Sequence, residues 1–245
     1  RNTAEFSWSP RPRLPGVRQT VLFADTDYFT RPDGRLESRS ISPGISLNLN
    51  NGGVIVAGAD NRYEDIETLF YIRGVVPVLV KAYDWTDGFF FISTDASRAF
   101  GMNITLAGGP YYTGTRRSVF GSVWWQPEPR FRSEFQFTRH LITADPSIVL
   151  PALYPLSWEY EGVVFAGRLT WTPSVRTLCK LFLQLDESSP FGDMGNLNLL
   201  LAWRYRPRSW LYLVWNDGWE KSYLARTWRS TERILLLKLT YLWNL

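Results

Sequence analysis

The chain has 245 residues, 45% of them hydrophobic and 20% charged, which is enough apolar material for a core and too much for wholesale disorder. Mean hydropathy is -0.18 and no run approaches about 18 uninterrupted apolar residues, so a bundle of membrane-crossing helices is excluded. One cysteine, Cys179, excludes an internal disulfide framework, and a net charge of +4 spread among acids without a basic run argues against nucleic acid as a partner.

The dominant signal is period-two alternation, which a strand separates into two faces and a helix scatters. It predicts about 12 or 13 strands, most of them about 9–14 residues long, near 2–10, 17–29, 36–50, 53–65, 87–100, 102–113, 116–126, 131–143, 161–172, 176–187, 195–206, 210–217 and 231–245. Ile41, Ile45, Leu47 and Leu49 oppose Ser40, Ser42, Ser46 and Asn48. Phe131, Phe135 and Phe137 oppose Arg132, Glu134, Gln136 and His140. Val163, Phe165, Leu169 and Trp171 oppose Arg168 and Thr170, and Cys179, Leu181, Leu183 and Leu185 oppose Lys180, Gln184 and Asp186. Leu197, Leu199, Leu201, Trp203 and Tyr205 oppose Asn198, Arg204 and Arg206. At the end, Leu235, Leu237, Leu239, Tyr241, Trp243 and Leu245 oppose Lys238 and Thr240. Residues 66–80, with Pro77, read as a short helix or an inward-folded loop.

Two classes of connection are predicted. Short ones carry Pro or Gly, as in Trp8-Ser9-Pro10, Asn50-Asn51-Gly52-Gly53, Trp125-Gln126-Pro127, Trp171-Thr172-Pro173 and Tyr205-Arg206-Pro207. Longer ones span 66–86, 144–160, 187–194 and 218–230. Short turns on one edge and long loops on the other, with strands of bilayer-crossing length, are the pattern of an outer-membrane barrel. The apolar face runs through Leu, Val, Ile and Phe to Trp125, Trp171, Trp203, Tyr205, Tyr241 and Trp243 beside the short turns, where amphipathic rings mark a membrane boundary. The fold class is therefore all-β, an antiparallel transmembrane barrel of about 12–14 strands or the C-terminal half of a larger one, in a single domain over residues 1–245. An even strand number is expected. The alternatives are a soluble carbohydrate-binding β-sandwich and an outer-membrane hydrolase with residues on its loops. The chain opens at Arg1 without an apolar leader, as a mature chain or a fragment does.

The opposite, polar face holds Asp25, Asp27, Arg132, Glu134, Arg168, Lys180, Asp186, Arg204, Arg206 and Lys238. Salt bridges from Asp25 and Asp27 to Arg39, Arg62 or Arg168, and from the other cations to Glu134 and Asp186, would fill a lumen. Unpaired, the cations would form a ring selecting anionic solutes. Phe120, Phe182, Leu200 and Leu242 point the same way and favour a partly packed interior. His140, the only histidine, has no Gly-x-Ser-x-Gly elbow to serve, and Ser133 falls on the apolar face, so no catalytic residue is assigned. No metal or cofactor is expected, and Cys179 reads as a small hydrophobe.

Several segments in order along the chain carry a family resemblance: Phe6-Ser7-Trp8-Ser9-Pro10-Arg11-Pro12, Asp25-Thr26-Asp27-Tyr28 with Gly34-Arg35-Leu36-Glu37-Ser38-Arg39, Tyr112-Thr113-Gly114-Thr115-Arg116-Arg117-Ser118, Leu201-Ala202-Trp203-Arg204-Tyr205-Arg206-Pro207, Leu211-Tyr212-Leu213-Val214-Trp215-Asn216-Asp217-Gly218 and Leu235-Leu236-Leu237-Lys238-Leu239-Thr240-Tyr241-Leu242. The chain resembles the C-terminal barrel of large bacterial outer-membrane proteins that carry an N-terminal carbohydrate-binding-like domain and have no assigned function. Members are much longer, and the resemblance covers the last half of their barrel. It implies a conduit or membrane anchor in the outer membrane, with glycans as ligands and with lipid bilayer, lipopolysaccharide and other outer-membrane or periplasmic chains as partners. Tyr241, Trp243 and Leu245 resemble the terminal signal that barrel-assembly machinery reads, with Leu where Phe is usual.

Overall fold

A computed structural model describes residues 1–145, 159–189, 192–221 and 227–243. The described chain is all-β, with thirteen strands joined in one antiparallel sheet and two in a separate hairpin. The strands are β1 (Asn2–Trp8), β2 (Val17–Thr30), β3 (Leu36–Leu49), β4 (Val54–Asp65), β5 (Phe70–Ile72), β6 (Val76–Val78), β7 (Ala82–Ser93), β8 (Phe100–Tyr111), β9 (Gly114–Glu128), β10 (Phe131–Thr143), β11 (Glu159–Ser174), β12 (Thr177–Ser189), β13 (Gly192–Arg206), β14 (Ser209–Lys221) and β15 (Trp228–Thr240). Sheet order follows chain order, skipping only the β5–β6 hairpin, and the sheet is not closed as a barrel: β1 and β15 are its ends.

Cross-strand pairing carries the two faces from strand to strand, because directly opposed residues point the same way. Leu181, Leu199, Trp215 and Leu235 form one row, and Cys179, Leu201, Leu213 and Leu237 the next. On the other face Gln184, Asn196, Gly218 and Glu232 are aligned. In β2–β4, Asp27, Ser40 and Arg62 share the polar face, while Thr26, Ile41 and Asn61 share the other.

The turns follow local chemistry. At Asn50-Asn51-Gly52-Gly53 the Leu49 N–H donates to Gly53 O at 2.8 Å, and Gly52 takes a φ of 84° that an L side chain resists. The Trp-x-Pro segments mark strand ends rather than turns, since Pro127 and Pro173 still lie inside β9 and β11. There the intervening residue supplies a ladder donor, Gln126 N–H to Ala99 O at 2.6 Å and Thr172 N–H to Arg130 O at 2.7 Å.

Several boundaries differ from the sequence expectation. The strand placed at 87–100 occupies Ala82–Ser93, so the preceding connection is shorter. β12 and β13 extend to leave two residues between them, and β14 runs to Lys221, so 187–194 and 218–230 are not long loops. The last strand ends at Thr240 rather than continuing through Tyr241 and Trp243, because Leu242 N–H turns to Ser209 Oγ at 3.2 Å. Leu245 and most of the 144–160 connection lie outside the described residues.

Residues group into two compact units: Arg1–Ala96, Asn103–Phe120 and Arg139–Glu161 in the first, and Ser97–Met102, Gly121–Thr138 and Gly162–Leu245 in the second. The first holds the buried apolar clusters. Val75 and Val76 pack with Ile142, Ala144 and Tyr160, and Val78 with Tyr83 and Trp85.

Candidate functional site

The polar face is where chemistry-bearing side chains gather, and each unit furnishes it differently. In the first unit it is roofed by the β5–β6 hairpin. Arg73 and Gly74, with φ of 51° and 71°, reverse the chain, and Val75 N–H donates to Ile72 O at 3.0 Å. Residues 66–80 thus hold a hairpin folded over the polar face rather than a helix, and Pro77 is tolerated in a two-stranded ribbon. The hairpin lies on the polar face, because Trp85 and Tyr83, which it covers, are paired with Arg62 and Glu64.

Beneath it the polar groups are knitted to aromatics. Tyr112 donates its hydroxyl to Glu64 Oε2 at 2.6 Å, and Tyr83 donates to Leu79 O at 3.0 Å. Burial and the bond to Glu64 push the Tyr112 hydroxyl well above the usual tyrosine range. Asp87 is buried and paired with Arg116, whose guanidinium also lies 4.9 Å over the Tyr111 ring. Glycines make room for rings on the same face: Gly44 sits under Phe23 and Gly58 under Phe89, so a Cβ at either would fall within 3 Å of the ring. Sequence reading missed the Tyr83, Trp85, Asp87 and Arg116 group, because it counted 82–86 as loop.

Asp25 and Asp27 do share the polar face, but the expected partners differ. Arg1 bridges Asp27 at 3.0 Å, and Arg62 turns to Asp60 at 3.3 Å. Arg39 lies on the opposite face, where it meets Asn61 and Asp84 at 2.8 and 3.1 Å, since it is paired with Tyr28 rather than with an aspartate.

In the second unit Arg132 bridges Glu134 at 3.6 Å and donates to Gln126 Oε1 at 3.2 Å. Gln136 donates to Glu134 Oε1 at 2.6 Å. Arg168 stacks 5.6 Å over Phe182 beside this group. Lys180 faces Leu200 across the ladder, and Lys238 faces Tyr212. Arg204 donates to Val175 O at 3.2 Å and lies 5.7 Å over Trp210, while Arg206 reaches the Tyr241 hydroxyl at 3.4 Å. Asp186 lines a hollow of about 370 Å³ with Gln184, Asn196, Glu220 and Glu232. The cations are therefore dispersed among rings, carbonyls and carboxylates, and Arg132 and Glu134 are paired as expected.

On the other face Trp125, Trp171 and Trp203 are exposed, and Tyr205 is half-buried with its hydroxyl donating to Thr240 O at 3.0 Å; Tyr241 and Trp243, beyond the end of β15, are exposed too. Cys179 faces Leu201 in the apolar row. His140, on the polar face, has Nδ1 2.9 Å from Ser118 Oγ, a pair the sequence reading did not find because the two lie on different strands. The charges around the ring are the cations Arg73 and Arg116. No family model, curated protein or solved structure matches the chain.

Proposed function

We propose that this chain forms part of the wall of a bacterial outer-membrane β-barrel and serves as a membrane anchor with a filled lumen side rather than as a wide conduit. One observation carries the reading: in the rows through Leu181–Leu199–Trp215–Leu235 and Cys179–Leu201–Leu213–Leu237 every one of four consecutive strands leaves a large apolar side chain exposed, at Leu181, Leu201, Trp215, Leu235 and Leu237, while the reverse mixes Lys180, Asn198 and Asn216 with Phe182, Leu200, Val214, Ile234 and Leu236. Contiguous apolar surface of that kind needs a partner, and a uniformly apolar face backed by a mixed one suits acyl chains outside and a partly packed interior. A β-sandwich would need a second sheet over those rows, and the sole second sheet among the described residues is the two-stranded β5–β6 ribbon on the polar face of the first unit. That ribbon supports an occupied interior. Glycans as ligands rest on the family resemblance alone.

The test is fractionation of the expressed protein followed by planar-bilayer recording. Retention in the membrane through alkaline carbonate, with small or no conductance that rises when residues 70–78 are replaced by a Gly-Ser link, supports an anchor. Large steady conductance in the unaltered protein makes it a conduit, and release into carbonate returns the sandwich.

The Ser118–His140 pair favours a second reading, an outer-membrane hydrolase. A serine nucleophile needs its histidine oriented and its positive charge stabilised by an anion, and here the neighbouring charges are cations. Ester hydrolysis abolished by both Ser118→Ala and His140→Ala would establish it.

A further inference from the structure

We propose that the ring is completed by further membrane-spanning β-strands, odd in number, that come from a segment other than these thirteen strands or a second copy of them, and that pair antiparallel with β15 at one edge and with β1 at the other. This rests on the membrane-wall reading. Among the described residues neither edge has a pairing neighbour. All seven residues of β1 are exposed, as is β15 along all but its last residue. In the same apolar rows, Leu181 and Leu201, flanked on both sides, are 36% and 37% exposed, whereas Leu235, Leu237 and Leu239 on β15 are 72%, 68% and 66% exposed. Ile234 and Leu236, on the reverse face of β15, are exposed too. What β15 lacks is therefore a lateral neighbour, because a layer stacked on one face would leave the other unchanged. In hydrocarbon such an edge cannot persist, since each unpaired N–H and C=O there costs several kcal/mol.

Strand direction decides what fits. Each strand of the sheet is antiparallel to the next, so the first and the thirteenth point the same way. Direct closure of β15 on β1 would make a parallel pair. A second copy inserted in the same sense offers its own β1 in that same parallel direction, and an inverted copy would put its connections on the wrong side of the bilayer. Only an odd number of interposed strands keeps every pairing antiparallel, and it restores the even total usual for bacterial barrels. The strand that meets β15 must alternate with period two, apolar beside Leu235, Leu237 and Leu239 and polar-tolerant beside Glu232 and Lys238.

The experiment is structure determination of the particle extracted in detergent from membranes of cells making the full natural protein, with the strands between β15 and β1 counted. The expected result is an odd number, antiparallel to both edges. An even number, β1 seated directly on β15, β15 seated on β1 of a second copy, or edges left bare would each overturn the proposal. The membrane reading fails separately, whatever the count, if the protein leaves the membrane in alkaline carbonate and stays dispersed without detergent.

Discussion

The two units carry aromatics in the same strand period but cover them differently. In the first, Tyr83, Trp85, Tyr111 and Tyr112 gather under Val78, on the face that also bears Arg62 and Glu64. In the second, Trp125, Trp171 and Trp203 stand exposed on the face of the leucine rows. The connections explain the difference. The segment between β4 and β7 is long enough to fold back as a ribbon, while two residues join β11 to β12 and β13 to β14 and cannot cover anything. In an alternating strand, what lies over a face decides whether its rings are core or boundary, and composition alone does not.

Trp85→Ala is the strongest way to break that comparison. Trp85 is buried and touches Tyr111 and Tyr112 at centroid distances of 5.8 and 4.8 Å, so truncation opens a cavity costing about 3–5 kcal/mol. The unfolding midpoint in urea, followed by gel mobility before and after heating, should fall sharply. Trp203→Ala should move it much less, and equal shifts for the two would mean that both rings are core.

Leu201→Arg comes next and sharpens what the exposed rows face. Against acyl chains the substitution costs about 2–4 kcal/mol near the bilayer centre. Against water an exposed residue of this kind changes stability by no more than about 0.5 kcal/mol. Urea titration in lipid vesicles separates these values, and the smaller one would remove the membrane wall.

Most of the architecture was legible because period two survives in nearly every strand, and residues at Leu235, Leu237 and Leu239 cannot be read as a helix stripe. β7 was misplaced for a physical reason. Ala82-Tyr83-Asp84-Trp85-Thr86-Asp87 alternates cleanly, but with its aromatics toward the polar side, so it matched neither expected face. The long-range partners were illegible: whether Asp27 meets Arg1 or Arg39, or His140 meets Ser118, depends on register between strands, and one residue of slip moves a side chain to the other face. Strand number and length left open whether these strands close a ring or supply part of a larger one, and which strands end the sheet appears only once pairing is known.

Gly58→Ala should cost about 1–3 kcal/mol, more than Gly44→Ala, because the new methyl meets Pro43 O at 2.6 Å as well as the Phe89 ring. At Gly44 only the Phe23 ring obstructs, and a ring tip can swing aside. Comparison of the two denaturation midpoints checks the order. The reverse order would mean that Phe23 is held as rigidly as backbone.

Asp217→Asn should have the smallest effect, and it locates the edge of the apolar zone. Asp217 follows Leu183 and Leu197 in one cross-strand row and pairs with Arg233 at 3.1 Å. The carboxylate is well shielded, but Arg233 is two-thirds exposed, and its long stem lets the guanidinium reach water once its partner is gone. The expected loss is therefore about 1 kcal/mol or less, as for surface ion pairs. A loss of about 3 kcal/mol or more, as for a buried charge stripped of its partner, would place this row inside hydrocarbon. The boundary of the apolar zone would then lie beyond Asp217, toward residues 222–227, rather than between Asp217 and Trp215.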